Sequence, residues 1–83
     1  MVISVLSPEK EIFTGEIKSV KVPGTTGQFE VLQNHAPIVA ALAEGAVRIK
    51  KTNGEILNFS IKKGFIEVLY NEVSLLVQIP DES

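Results

Sequence analysis

Short runs of alternating apolar and polar residues, separated by closely spaced turn residues, constrain the fold of this 83-residue chain most strongly. Leu57, Phe59 and Ile61 alternate with Asn58 and Ser60, and similar runs recur elsewhere in the chain. Residues that alternate in this way place one face of a strand in a core. Parallel neighbours need crossovers of about a dozen residues, for which the chain has no room. The pattern therefore predicts an all-β, antiparallel β-sandwich or flattened barrel of about nine short strands.

Glycine, proline and asparagine mark the turns between these runs. Asn53-Gly54 lies between two runs and predicts a hairpin with a type I′ turn, which needs positive φ at both central residues. Pro23-Gly24 suits the central pair of a type II turn. Weaker breaks occur at Ser7-Pro8, Glu44-Gly45, Lys63-Gly64 and Tyr70-Asn71-Glu72.

Two segments need individual interpretation. Ile17 is out of phase by one with Val20 and the residues after it, which predicts a β-bulge between them. The segment from Pro37 to Ala43 has some helix propensity, but its β-branched residues and lack of a cap favour a strand. Residues 1–79 are expected to form a single domain, and residues 80–83 a frayed tail.

Composition excludes several classes of protein. The chain has no cysteine, which excludes disulfides and thiolate metal sites. Its net charge of −2 argues against nucleic-acid binding. The longest apolar stretch, from Ala36 to Ala43, is far shorter than the roughly 20 residues of a membrane-spanning helix, so no direct membrane insertion is expected. Nothing at the N-terminus resembles a secretion signal.

No pattern of catalytic or metal-ligating residues emerges. His35 is the only histidine and Asp81 the only aspartate, so a Ser-His-Asp site would have to recruit the C-terminal tail. The Gly24-to-Gly27 loop lacks the Gly-Lys pair of a phosphate-binding P-loop. For His35 three interpretations remain: a turn histidine bound by backbone groups, a partner contact, or a catalytic or metal-binding group. We expect no catalytic residue, metal or cofactor.

Two lysine pairs, Lys50-Lys51 and Lys62-Lys63, flank turns. Solvated lysines at strand ends discourage edge-to-edge pairing of sheets. Alternatively, the two lysine pairs attract an acidic surface of a partner protein.

The segment from Gly24 to Leu42 reads GTTGQFEVLQNHAPIVAAL, and its last residues are apolar on both faces of the expected strand. A strand of this kind either exposes an apolar patch to a partner protein or lies beneath a loop. The first alternative makes the chain an interaction module.

A series of short motifs follows in a fixed order and spacing between about Val2 and Val77. They are Leu6-Ser7-Pro8, Phe13-x-Gly15, Val20-x-Val22-Pro23-Gly24, Gly27-Gln28-Phe29-Glu30-Val31-Leu32, Asn34-His35-Ala36-Pro37-Ile38, Leu42-x-x-Gly45-x-Val47-Arg48-Ile49, Gly64-Phe65-Ile66-Glu67-Val68 and Val73-x-Leu75-Leu76. In these motifs the sequence resembles the epsilon subunit of the bacterial rotary ATP synthase, in its N-terminal β-sandwich domain.

This resemblance implies a ten-stranded sandwich that acts as a non-catalytic central-stalk subunit. Such a subunit links the gamma shaft to the ring of c subunits, on the cytoplasmic face of the bacterial cell membrane, in a proton- or sodium-driven ATP synthase. The implied c-ring contacts are Gly27, Gln28, Phe29, Glu30 and His35. The implied gamma contacts are Ile38, Val39, Ala40 and Leu42.

The chain departs from the family pattern in two places. Lys62-Lys63-Gly64 stands where many members have Ser-Gly-Gly, and the C-terminal helical hairpin common in the family does not follow. We therefore expect a coupling subunit without an inhibitory arm of its own. The alternatives are a stand-alone β-sandwich module that binds a ligand or a protein, and a small hydrolase built around His35.

Overall fold

The computed structural model describes residues 1–80 and confirms the all-β prediction. The strands are β1 (Val2–Leu6), β2 (Glu11–Gly24), β3 (Gly27–Leu32), β4 (Ile38–Leu42), β5 (Gly45–Lys51), β6 (Ile56–Ile61), β7 (Lys63–Leu69) and β8 (Glu72–Gln78). The structure has eight strands where nine or ten were expected, and the longest, β2, runs unbroken through 14 residues.

The sheet folds into two layers at β2. The first half of β2 pairs with β1, and its second half pairs with β3 and β5. The first layer contains β4, β7, β8, β1 and the start of β2, and the second contains β3, the end of β2, β5 and β6. The register shift between Ile17 and Ser19 confirms the predicted bulge, and it lies where β2 passes from one layer to the other.

One pair of strands departs from the antiparallel prediction. β1 and β8 pair in parallel, with Val2 opposite Glu72 and Leu6 opposite Leu76. The need for a crossover applies to parallel strands that follow one another in the chain, whereas β1 and β8 are its first and last strands. The rest of the domain connects them, so no dedicated crossover is needed.

The inward faces of the two layers form one core. Its members are mostly β-branched, as expected for side chains that pack well on a pleated surface. They are Ile3, Val5, Ile17, Val20, Val22, Val31, Leu42, Val47, Ile49, Ile61, Ile66, Val68, Val73, Leu75 and Val77. Burial of each such side chain contributes roughly 1.5–3 kcal/mol to the stability of the folded state.

The type I′ turn occurs at a different hairpin from the one predicted. Asn53-Gly54 does join β5 to β6, but only Gly54 has a positive φ, of 92°. The Gly54 N–H donates to the Lys51 carbonyl over 3.0 Å, so Thr52 and Asn53 form the turn and Gly54 follows it. Positive φ at both central residues occurs at Tyr70 (48°) and Asn71 (62°), between β7 and β8.

The Pro23-Gly24 prediction is also wrong in position. Both residues belong to β2, and the turn to β3 is formed by Thr25 and Thr26. Gly24 pairs with Gly27, and a Cβ atom on Gly24 would lie only 2.7 Å from the Gly27 carbonyl oxygen. The glycine is therefore required by this close approach of two strands.

The segment from Ile38 to Leu42 is a strand, as expected. Of the predicted frayed tail, Pro80 is described and residues 81–83 lie outside the described part of the chain. Residues 1–80 contain no helix that could span a membrane.

Candidate functional site

Four apolar side chains lie side by side across the outer face of the first layer. Leu6 of β1 is opposite Leu76 of β8, Leu76 is opposite Phe65 of β7, and Phe65 is opposite Ala41 of β4. We call Leu6, Leu76, Phe65 and Ala41 the apolar row. Paired side chains of this kind lie about 5 Å apart, so the row forms a continuous surface.

The apolar row is exposed in the isolated chain. The exposed fraction is 60% for Phe65, 53% for Leu76 and 39% for Leu6. Ala41 is exposed beside them, and the row lines a shallow groove of about 670 Å³. Single exposed apolar residues are common, whereas a contiguous group of them marks a surface that another molecule covers.

Only one of the four residues implied as gamma contacts points fully outward. Val39 is 71% exposed, whereas Leu42 is 3% exposed and belongs to the core. Ile38 and Ala40 are half-buried and pack against that core. Because side chains alternate along a strand, Val39 and Ala41 form the outer face of β4 and the other three face inward. Leu42, one of the implied gamma contacts, is thus absent from the outer face, whereas Ala41, which is not among them, lies on it.

A more polar row borders the apolar row. Val39 pairs with Glu67 of β7, and Glu67 pairs with Ser74 of β8, which in turn pairs with Ser4 of β1. An apolar centre with a polar border is the usual arrangement of protein–protein interfaces.

The β2–β3 turn lies at one end of the apolar row. The Thr25 N–H donates a 3.1 Å hydrogen bond to the carbonyl oxygen of Ala41. Of the implied c-ring contacts, Gly27, Gln28 and Glu30 are exposed, whereas Phe29 is half-buried and packs against the core. Gly27 has a φ of 135°, which a residue with a side chain rarely adopts.

His35 lies at the opposite end of β3 from this turn. Gly27 begins β3 and Leu32 ends it, a separation of about 17 Å at the rise of an extended strand. His35 follows Leu32 in the loop to β4, and its N–H donates to the Leu32 carbonyl over 3.1 Å. The five implied c-ring contacts are therefore not brought together at one end of the molecule.

The His35 ring is held by its own loop. Its Nδ1 lies 2.7 Å from the Ala36 carbonyl oxygen, which can only accept, so Nδ1 carries a hydrogen and Nε2 is the acceptor in the neutral ring. Within residues 1–80 no carboxylate or hydroxyl group bonds to this ring. The same residues contain no group of three side chains that could hold a metal ion. The arrangement is that of a turn histidine.

Sequence reasoning missed three members of the apolar row, namely Leu6, Phe65 and Leu76. A signal for two of them is present in the sequence. Leu76 interrupts the alternation of Leu75 and Val77, and Phe65 precedes Ile66, so each is an apolar residue on the outer face. Their adjacency depends on the pairing of distant strands, which the sequence pattern does not specify.

Comparison with known proteins is consistent with this fold. Residues 1–79 match the family described as the ATP synthase delta/epsilon chain, beta-sandwich domain. An ATP synthase epsilon chain of Leptospira borgpetersenii is 52% identical over 75 residues, which are 89% of this chain and 58% of that protein. The counterpart in Chlorobaculum tepidum is 42% identical over 76 residues, which are 92% of this chain and 86% of that protein. The chain thus spans little more than half the length of the Leptospira relative.

A solved structure shares the fold at low sequence identity. A chain in the Euglena gracilis mitochondrial ATP synthase superimposes with a TM-score of 0.87 at 20% identity, over 93% of this chain and 49% of that one. Family match, relatives and fold agree: the chain belongs to the ATP synthase delta/epsilon family, whose β-sandwich domain its residues 1–79 match.

Proposed function

We propose that the chain is a non-catalytic central-stalk subunit of a proton- or sodium-driven rotary ATP synthase, in which it joins the gamma shaft to the ring of c subunits. Family membership and the relatives named ATP synthase epsilon chain support this role. A second structural neighbour, at a TM-score of 0.81, comes from a Tetrahymena thermophila ATP synthase structure whose title names the central stalk and c-ring. The proposed location is the cytoplasmic face of a bacterial cell membrane, as a peripheral protein.

The gamma subunit would bind the outer face of the first layer. The observation that carries this proposal is the apolar row, since four neighbouring strands expose apolar side chains in register. Val39 extends this surface along β4, and the small side chain of Ala41 allows close approach of a partner. Ile38, Ala40 and Leu42 would support the contact from inside the core.

The ring of c subunits would bind at the β2–β3 turn. Gly27 and Gln28 are exposed there, and Glu30 lies two residues farther along β3. Phe29 packs against the core and would hold the turn in place. His35 lies at the other end of β3 and is not included in this contact. The hydrogen bond from the Thr25 N–H to the Ala41 carbonyl joins the β2–β3 turn to β4, so the proposed c-ring contact is linked directly to the proposed gamma contact.

The proposed role requires a rigid subunit and no catalytic activity. A coupling subunit must transmit torque without slipping, which depends on apolar area and shape complementarity at its interfaces. The continuous sheet suits this task, because β2 belongs to both layers and couples them directly.

Co-expression with the gamma subunit from the same genome tests the proposal. The wild-type chain is expected to elute with gamma, and Phe65→Glu is expected to weaken binding at least about 30-fold, because a charge would be buried without a partner. Asn58→Glu is the matched control, since Asn58 is exposed on the second layer. Equal recovery of the Phe65→Glu and Asn58→Glu chains with gamma would contradict the proposed face.

A further inference from the structure

A small polar notch of about 180 Å³ lies on the outer face of the second layer, on the side of the molecule away from the apolar row. Two rows of paired residues form it. The notch is lined by Ser19, Lys21, Glu30, Arg48, Lys50 and Ile56. The proposed stalk function uses none of the basic residues in this group.

Three cations surround the notch without an ion pair. Lys21 of β2 lies directly opposite Arg48 of β5, and Lys50 follows two residues later on the same face. Like charges opposite one another destabilise an antiparallel pair. Glu30, opposite Lys21 on β3, is the only acidic residue lining the notch. Within residues 1–80, none of the three cations forms an ion pair or a side-chain hydrogen bond.

A largely buried serine lies among these charges. Ser19 is only 8% exposed, and it is the one buried polar residue in the described part of the chain. The bulge before it turns its side chain outward, beside Lys50 of the neighbouring strand. Across residues 1–80 its hydroxyl has no hydrogen-bond partner, and the atom is not fully shielded. The hydroxyl is therefore available to bond to a small molecule in the notch.

We propose that this notch binds inorganic phosphate as the hydrogenphosphate ion. A guanidinium group, two ammonium groups and a hydroxyl supply donors on several sides of a compact oxyanion. The bound anion would also offset the repulsion between Lys21 and Arg48. The notch volume suits one small ion.

Glu30 determines which oxyanion is preferred. A carboxylate can only accept a hydrogen bond, and hydrogenphosphate carries one O–H group that can donate to it. Sulfate has no such proton at neutral pH. It would be repelled by the Glu30 carboxylate, with no hydrogen bond between them to offset the repulsion. Phosphate monoesters, whose second pKa is about 6, are likewise mostly dianions without this proton at pH 7.5. The site is therefore expected to prefer inorganic phosphate over sulfate and over glycerol 3-phosphate.

The test is a titration of the ¹⁵N-labelled 83-residue chain at pH 7.5 and constant ionic strength. Sodium phosphate is expected to shift the amide signals of Ser19, Lys21 and Arg48 in a saturable manner, and sodium sulfate to bind at least about fivefold more weakly. Arg48→Gln is expected to weaken phosphate binding about tenfold, since it removes the planar pair of donors. Lys63→Gln makes the same change of charge outside the notch and should change the affinity by less than about twofold.

Glu30→Gln separates selectivity from simple charge attraction. The variant is expected to bind sulfate more tightly than the wild type does, so that the preference for phosphate shrinks. Thermal unfolding of each variant shows whether its fold is intact. Scattered or non-saturating shifts, equal binding of sulfate by the wild type, or an Arg48→Gln chain with unchanged affinity would each overturn the proposal. Because it does not depend on the stalk role, the outcome leaves that role unaffected.

Discussion

Asn34 and Asn71 bond reciprocally across the end of the molecule that carries His35. The Asn34 N–H donates to Asn71 Oδ1 over 2.7 Å, and Asn71 Nδ2 donates to Asn34 Oδ1 over 3.0 Å. Both residues have positive φ, of 65° and 62°, a conformation that asparagine tolerates better than most residues. The pair joins the β3–β4 loop to the β7–β8 turn, 37 residues apart in sequence.

Substitutions of Asn71 should destabilise the fold by an amount that depends on how many of its hydrogen bonds they remove. Asn71→Ala removes both hydrogen bonds and places a less tolerant residue at positive φ, so we expect a loss of about 2 kcal/mol in the free energy of unfolding. Asn71→Asp keeps the acceptor for the Asn34 N–H and should lose about 1 kcal/mol. Urea unfolding of the three proteins measures the difference. Equal stability of the two variants would show that the acceptor role contributes nothing.

Ala40 and Ala41 are neighbours in β4 that point to opposite faces, which makes them a matched pair. Ala40→Glu would place a carboxylate against the core and should lower the free energy of unfolding by about 3 kcal/mol or more. Ala41→Glu adds the same group on the exposed face and should change stability by less than about 0.5 kcal/mol.

The two variants should also differ in assembly. We expect folded Ala41→Glu to lose binding to gamma, as measured by co-purification, because the charge enters the apolar row. If the stabilities of the two variants are reversed, the orientation of β4 described here is wrong.

Gly64 permits a close approach between β7 and β8. A Cβ atom there would lie 2.5 Å from the Leu76 carbonyl oxygen, a backbone atom that cannot move aside on its own. Gly64→Ala should therefore cost about 1–3 kcal/mol. Gly15→Ala is the control, because its added Cβ meets only the Phe13 ring, at 3.0 Å, and a side chain can adjust. Melting temperatures of the two variants compare them directly, and a Gly15→Ala chain that is the less stable of the two would contradict this reasoning.

Tyr70 occupies the first central position of the type I′ turn with a φ of 48°, although it is a bulky residue. Asparagine is favoured at this position. Tyr70 is 83% exposed, so its replacement removes little packing. Tyr70→Asn should raise the free energy of unfolding by about 0.5–1 kcal/mol, seen as a higher urea midpoint at an unchanged m-value. A lower midpoint would mean that the Tyr70 ring makes contacts that stabilise the turn.

The sequence pattern predicted the layers of this fold better than its turns. Alternation is a direct consequence of strand geometry, so the strands and the bulge after Ile17 could be identified. Turn type depends on how the flanking strands are paired. Asn53-Gly54 is a strong local signal, yet β5 ends at Lys51 and β6 begins at Ile56, so four residues form the loop and only Gly54 among them takes a positive φ.

The candidate site was predicted in part. The segment that contains β4 was predicted to be a strand with apolar residues on both faces, but which of its side chains point outward was not predicted. The phase of a strand that is apolar on both faces cannot be read from its own residues, and only the folded structure shows that Leu42 is buried whereas Val39 and Ala41 are exposed. The apolar row combines four strands, and only the register of the folded sheet brings Phe65 beside Ala41.

Hydroxyl-radical footprinting of the chain alone and in complex with gamma tests the central claim most directly. Phe65 and Leu76 are exposed in the isolated chain and are expected to be oxidised several-fold more slowly in the complex. Leu32, which is 53% exposed on the second layer, serves as the internal reference and should be oxidised at the same rate in both states. Protection of Leu32 with unchanged oxidation of Phe65 would contradict the account, because gamma would then cover the opposite face of the sandwich.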